Sequence, residues 1–398
     1  MLTMSNSPAT TRPEEELLLR CGRISVGSEP VGRVQELLPH VTDWENFFRL
    51  AYRHAMTPLV SSLFNEFADG KVARPGVEQF RTASHIHAVH CFDLTLRLLK
   101  LLSLFEIHSI PAVAFKGPVL AFSLYGDVGA REFVDLDILI RREDVLRAKD
   151  VMLAHGYRTD FPANPAHQVA YLRARHELHF TPEDDAFLIE IHQAFLAPYH
   201  SFRFDYDAVW SRLRRTRFYD REILSLAPED YLLVLSVHAA KHSWSRLGWI
   251  CDIARLLVVS GEEVDWTTLM DRAASFGARR MVSLGLVLAH SLLAAPVPAV
   301  ILEHTEEDER VGYLANTVVN SLFDGGSVQS EVRSHLFFLQ ARERFRDKLM
   351  YCGRLAFSPT EEDHSIVHLP AILTPLYYPL HAVRVAGKYG LSALRTAI

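Results

Sequence analysis

From Asp43 to about His108 the apolar residues recur at helical spacing. Trp44, Phe47 and Phe48 form one group, Leu59, Leu63, Phe64 and Phe67 a second, and Phe92, Leu96, Leu99 and Leu102 a third. This period puts an apolar stripe on each segment and predicts a helical layer over the first quarter of the chain. At Pro111 the texture changes. Ala112 to Phe115 is a short apolar run, closed by Lys116-Gly117-Pro118 and followed by the helical pattern VLAFSLYG, which makes a strand–turn–helix unit. After a Gly-bearing loop over 126–131, Val134 to Ile140 alternates as a strand, and a helix from about Glu143 to His155 ends at Gly156. His176 to Phe180 and Phe187 to His192 are two more strands. The turn-rich linker TPEDDA between them predicts an antiparallel hairpin.

Beyond Pro228 the pattern is helical again. Met281 to Leu302 carries no formal charge over nearly the length of a membrane span, but His290, Pro296 and Pro298 interrupt it. A buried helix is the favoured reading, and no membrane span is expected. From Ser358 onward, Pro359, Pro370, Pro375 and Pro379 predict a broken or wrapping tail with a last short helix. The chain therefore divides into an N-terminal helical region (1–108), an α/β core (109–220), a C-terminal helical domain (221–357) and a Pro-interrupted tail (358–398), an α+β fold.

About half of the 398 residues are apolar, enough for sizeable cores. The formal net charge of −6 gives no general attraction to phosphate backbones, so nucleic acid is not the expected partner. Cys21, Cys91, Cys251 and Cys352 are widely spaced, form no CxxC pair and lie in apolar stretches, as reduced and buried thiols do. Such thiols fit the cytoplasm, and the N-terminus shows no basic start and apolar core of an export signal. The apolar helical faces at either end can pack within one chain or between two; a monomer is favoured.

The candidate chemistry lies on the strands. A period of two puts Asp135 and Asp137 on one face, with Leu136, Ile138 and Ile140 toward the core. Neighbouring carboxylates raise each other's pKa, and a hard divalent cation relieves this. Lys116-Gly117-Pro118 opens a helix whose free N–H groups suit an anion, with Lys116 adding charge. In Leu188-Ile189-Glu190-Ile191-His192, Glu190 and His192 share a face, and Glu190 is a third metal or base carboxylate. In the companion strand, Glu177 and His179 share a side and His176 falls on the other side with Leu178; the pair can orient the carboxylates from behind. In HAAKH, His238 and His242 stand one helical turn apart, but the glutamate of HExxH is missing, which disfavours a zinc hydrolase. That helix more plausibly brings Lys241 or His242 to a nucleotide or acceptor. Asp252 and Arg255 on the next helix either join it there or tie the two helices together.

The ordered segments FKGPVLAFSLYGDVGAREFVDLDILI, the helix ending HGY, HELHF, LIEIH and HAAKHSWSRLGWICDIARLL resemble a bacterial family of uncharacterised nucleotidyltransferases, over roughly residues 80 to 260. That family lies in the superfamily of DNA polymerase beta and the antibiotic-modifying adenylyltransferases. The resemblance implies a minimal nucleotidyltransferase core, a mixed β-sheet flanked by helices, with Asp135, Asp137 and Glu190 at three acidic metal positions. Where the superfamily opens its first helix with Gly-Ser, this chain has Lys116-Gly117, so Lys116 takes over the phosphate contact electrostatically. Arg131 matches a basic position that contacts phosphate or organises its loop. The implied partners are Mg2+ or Mn2+, a nucleoside triphosphate and an unidentified acceptor hydroxyl or amine. The alternative is a non-catalytic protein that keeps the fold to bind a nucleotide or a partner.

Overall fold

The structure, a computed structural model, describes residues 12–67, 74–162, 164–183, 187–202, 204–324, 331–357, 376–384 and 387. Five helices come first: α1 (Pro13–Val26), α2 (Gly32–Leu37), α3 (Trp44–Arg53), α4 (Thr57–Phe67) and the long α5 (Arg74–Ile107). Local chemistry sets their ends. Pro13 stands at the start of α1 with Glu14, Glu15 and Glu16 in its first turn, and Gly27 ends it in the left-handed conformation. Asp43 caps α3 by accepting from the Asn46 N–H.

The sheet region follows as β1 (Ala112–Ala114), α6 (Gly117–Tyr125), β2 (Asp135–Ile140), α7 (Val145–Ala154), β3 (Arg158–Thr159), α8 (Pro165–Ala174), β4 (Glu177–Thr181) and β5 (Leu188–His192). The strands are ordered β1-β2-β5-β4-β3. Only the β2–β5 pair is parallel; β1–β2, β5–β4 and β4–β3 run antiparallel, so the expected hairpin is present within a mixed sheet. Then come α9 (Tyr206–Ser211), the hairpin β6 (Arg214–Phe218) and β7 (Arg221–Ser225), and eight helices: α10 (Pro228–Lys241), α11 (Leu247–Ser260), α12 (Trp266–Phe276), α13 (Arg279–Leu293), α14 (Ala299–Glu306), α15 (Glu309–Leu322), α16 (Glu331–Ala341) and α17 (Phe345–Phe357).

The two faces of the sheet belong to different surroundings. Leu136, Ile138, Ile140, Leu178, Phe180, Ile189 and Ile191 are buried in one core with Leu98 and Phe105 of α5 and with Ala148 and Met152 of α7. The period of two therefore holds as read. On the other face, Val113, Phe115 and Leu139 join a second core shared by helices from both ends of the chain, among them α1, α3, α10, α11 and α13. The rest of that face is polar: Asp137 and His192 are buried, and Asp135, Glu177, His179 and Glu190 are half-buried.

Several details depart from the sequence reading. Val134 is exposed and precedes β2, and α7 begins only after a 3-10 turn over Arg142–Asp144. The strand β3, the helix α8 and the β6–β7 hairpin were not anticipated. The hairpin turns at Tyr219, whose φ of 55° lies in the left-handed region without the Gly or Asn that usually announces such a turn. Cys21, Cys91 and Cys251 are buried as expected, but Cys352 is exposed, because its position on α17 faces away from the core. Of the proline-rich tail, 358–375 and 388–398 lie outside the described residues; 377–384 is helical and buries Tyr377 and His381.

The uncharged stretch from Met281 is interrupted as its prolines suggested. Helix α13 stops at Leu293, Ala294 turns left-handed at φ 53°, and α14 starts after Pro298. No helix among the described residues is long and apolar enough to cross a membrane. Within α13, Gly285 is required by close packing: a Cβ there would meet the ring of fully buried Trp244 at 2.8 Å and Ser236 Oγ at 3.0 Å. Gly285→Ala is therefore expected to destabilise the protein by about 1–3 kcal/mol, the usual cost of overpacking, despite its better helix propensity. Urea denaturation checks this; an unchanged or raised midpoint would contradict the packing account.

Candidate active site

The first positioning device is the turn between β1 and α6. Gly117 has φ 54°, and a Cβ on it would stand 3.2 Å from the Asp135 carbonyl oxygen, so a residue without a side chain lets this turn press against the start of β2. Lys116, just before it, is directed onto the sheet. Its Nζ donates to Asp137 Oδ1 at 2.8 Å.

The second device is strand register. Parallel pairing sets Asp137 directly beside Glu190, and the antiparallel β4–β5 ladder sets His179 opposite Glu190 and Glu177 opposite His192. The cross-strand contacts follow. His192 Nε2 lies 3.0 Å from Asp137 Oδ1 and 3.2 Å from Glu190 Oε2. Glu177 Oε1 is 3.4 Å from His179 Nε2, and its Oε2 is 2.9 Å from His176 Nε2. His176 does not sit with Leu178 as strict alternation had it. It precedes the first residue of β4 and turns to the polar side, where its ring lies 5.8 Å from that of His192.

The charges balance unevenly. Burial works to raise the Asp137 carboxyl, but Lys116 and the His192 hydrogen bond outweigh it and hold this group well below the usual carboxylate range. Burial likewise works against a charged His192, yet its bonds to Asp137 and Glu190 lift it to about 9. Asp135 receives no such pairing. Burial first, then the charges of Asp137 and Glu190, raise it to about 6 against the partial relief from Lys116 and Arg131. Glu177 is drawn the other way: its burial penalty is exceeded by hydrogen bonds from His176 and His179.

The remaining sequence candidates fall into two groups. Lys241, at the end of α10, is lowered by burial and by Lys116 while Glu177, Glu190 and Asp137 pull it up, which places it in the electrostatic reach of the site. Arg131 instead turns its Nε to both Asp252 oxygens, at 3.1 and 2.9 Å, and Tyr125 OH donates to the same carboxylate at 3.2 Å. Arg255 donates to the Leu124 carbonyl at 2.9 and 2.6 Å. Asp252 and Arg255 thus tie α11 to the β2 approach and to α6, not to α10. His238 and His242 pack their rings against each other and against Trp249, and burial keeps both below the usual imidazole range. They belong to none of the groups able to hold a metal among the described residues; those groups are Asp137–Glu190–His192, Glu177–His179–Glu190 and His176–Glu177–His192.

The donor set suits a divalent cation. Lys116 and His192 both occupy Oδ1 of Asp137, and no hydrogen bond to Oδ2 is present among the described residues. Asp135 stands outside the three groups but carries the carboxyl most in need of a neutralising charge. A family model described as uncharacterised nucleotidyltransferase matches residues 40–294, well over half of the chain. The chain belongs to this family of nucleotidyltransferases. It lies within the DNA polymerase beta-like superfamily, in keeping with the mixed sheet and flanking helices. No curated protein and no solved structure is significantly similar to it. Buried Asp, Glu and His groups on the sheet give this member of the family a site able to bind metal.

The sequence did not disclose the pairing of Lys116 with Asp137 or that of Arg131 with Asp252, which depend on the antiparallel β1–β2 register and on helix packing. An isolated signal did exist for His176, since three histidines and two glutamates within HELHF and LIEIH exceed what a solvated hairpin needs. The folded pKa of Asp135 lies above the ordinary 3.8, so folding disfavours its ionised form and stability is lost as pH rises from that value through 6. In metal-free buffer, Asp135→Asn is expected to be more stable than the native chain near neutral pH, by on the order of 1–2 kcal/mol after allowance for solvent screening. The gap should close as pH falls toward the ordinary carboxylate range. A pH series of denaturation midpoints tests this, and a gap independent of pH would refute it.

Proposed function

We propose that the chain is a nucleotidyltransferase that moves a nucleoside monophosphate from a nucleoside triphosphate to a hydroxyl or amine of an acceptor, dependent on Mg2+ or Mn2+. The observation that carries this reading is the register that sets Asp137 beside Glu190, with Lys116 directed over them from the start of α6. When bound, a divalent ion on these carboxylates neutralises phosphate charge and favours in-line displacement.

The protein's own groups account for the rest. Asp135 and Asp137 would hold the ion on the triphosphate side, and Glu190 would complete the acceptor side. The N–H groups opening α6 and the unhindered backbone of Gly117 receive phosphate oxygens. Lys116 exchanges its contact with Asp137 for one with the triphosphate, and Arg131 keeps its loop in place through Asp252 while offering its terminal nitrogens to phosphate. Glu177, His179 and His192 orient the carboxylates; Lys241 and His242 line the acceptor approach from α10. The acceptor oxygen or nitrogen bonds to the α-phosphorus and yields its proton to Glu190, while the bond from that phosphorus to the β-phosphate oxygen breaks and pyrophosphate leaves. No protein nucleophile takes part. The reading goes with a monomer acting in the cytoplasm of a bacterium.

A second reading rests on the same contacts. Asp137 is already matched by Lys116 and His192, so the fold can keep this site charged and closed as a non-catalytic nucleotide- or partner-binding protein.

Incubating the purified chain with Mg2+, each labelled nucleoside triphosphate and a panel of hydroxyl- and amine-bearing acceptors separates the two. Transfer with release of pyrophosphate is expected, and Asp135→Asn should lower it by roughly 100-fold or more, the scale for removing one preorganised charge from a transition state. Nucleotide binding without release selects the second reading. Neither binding nor release overturns both.

A further inference from the structure

We propose that His176, Glu177 and His192 form a separate transition-metal site of the zinc class, behind the carboxylates assigned to nucleotide chemistry. Nothing in the reading of the active site requires it; it rests on the donors themselves.

The first observation is spacing. His176 Nε2 and His192 Nδ1 stand 2.9 and 3.4 Å from the same oxygen, Glu177 Oε2. Adjacent ligands on a tetrahedral zinc ion with bonds of about 2.0–2.1 Å are ~3.3 Å apart, so the two measured separations bracket the edge of such a tetrahedron. All three donors lie within 4.8 Å of one another.

The second observation is an orphaned atom. His192 is almost completely buried, and its Nδ1 makes no hydrogen bond. Its other nitrogen cannot be the bare one. Carboxylates only accept, so Nε2 must carry the proton it presents to Asp137 Oδ1 at 3.0 Å. Its Nδ1 faces Glu177 Oε2 at 3.4 Å as an ion pair without a hydrogen bond, and a metal ion would replace the Nδ1 proton between them. A ring that gives one N–H to a carboxylate and turns the other nitrogen to an ion is the usual arrangement of a metal-bound histidine.

The third observation is the donor chemistry. Two imidazoles and one carboxylate suit zinc or cobalt, whereas magnesium takes oxygen ligands and retains water. Three protein ligands leave a fourth position open. Because Glu177 and His192 face each other across the β4–β5 ladder, the ion would tie the start of one strand to the end of the other. It would also hold the His192 ring in the tautomer that donates to Asp137.

The test uses the full chain, stripped with a chelator and titrated with Zn2+ by calorimetry, with Co2+ as the optical probe of tetrahedral coordination. One equivalent of Zn2+ per chain is expected, along with the intense visible bands of four-coordinate Co2+. His176→Ala and the bulkier His176→Gln should each weaken Zn2+ binding by at least ~10–100-fold, with circular dichroism showing that both remain folded. Asp135→Asn should bind Zn2+ as the native chain does. Failure of the folded native chain to take up stoichiometric Zn2+ overturns the proposal whatever the variants do. So does undiminished affinity in a folded His176 variant, or loss of the ion on Asp135→Asn alone, which would place it at the aspartate pair. None of these outcomes depends on transfer activity.

Discussion

The structure depends most on the neutralisation of one buried carboxylate. Asp137 is almost wholly removed from water, and an unpaired charge there would cost several kcal/mol. Lys116 Nζ and His192 Nε2 answer it from two sides on a single oxygen. Each partner imposes its own conditions. Lys116 reaches Asp137 because the left-handed Gly117 allows the α6 turn to touch the backbone of β2. His192 reaches it because β5 runs parallel to β2, and Glu190 and Glu177 then help keep the ring charged. The polar face of the sheet is thus partly withdrawn from water, and its glutamates and histidines close on one another as partners.

That closure is incomplete at Asp135. The carboxyl shares the face of Asp137 without a cation of its own, so the folded chain holds an uncompensated charge near neutral pH. Proteins concentrate such unfavourable groups where a ligand will later relieve them. The contrast between two aspartates two residues apart, one matched and one not, is the electrostatic signature of this family member's site.

Much of the site was legible in the sequence because period two and turn chemistry are local. Asp135, Asp137, Glu190 and the companion Glu177 and His179 follow from alternation alone, as does the apolar set of Leu136, Ile138 and Ile140. What escaped depends on contacts distant along the chain. No local pattern says that β2 and β5 are parallel neighbours, and that pairing puts Asp137 beside Glu190. Arg131 was readable as basic, but not its partner Asp252, 121 residues away. His176 was assigned to the wrong face because alternation begins only with the first paired residue, and the β6–β7 hairpin was missed because its turn uses Tyr219 in a conformation normally left to glycine. Resemblance to the family suggested a role for the carboxylates; geometry supplied their partners.

The longest helix has a mechanical consequence. At 34 residues α5 is a rod of about 50 Å. Near its start Phe80 is packed among Phe47, Phe48 and Phe64 in the core of the helical layer, whereas Leu94, Leu98, Leu101, Leu102 and Phe105 are embedded in the core beneath the sheet. One stiff element is thereby anchored at both ends in different hydrophobic interiors. The helical layer and the sheet cannot swing apart about a loose connection; any widening of the space between them must be taken up as rotation around this axle or as bending of it. Relative motion of the helical layer and the sheet is therefore confined to small shear displacements.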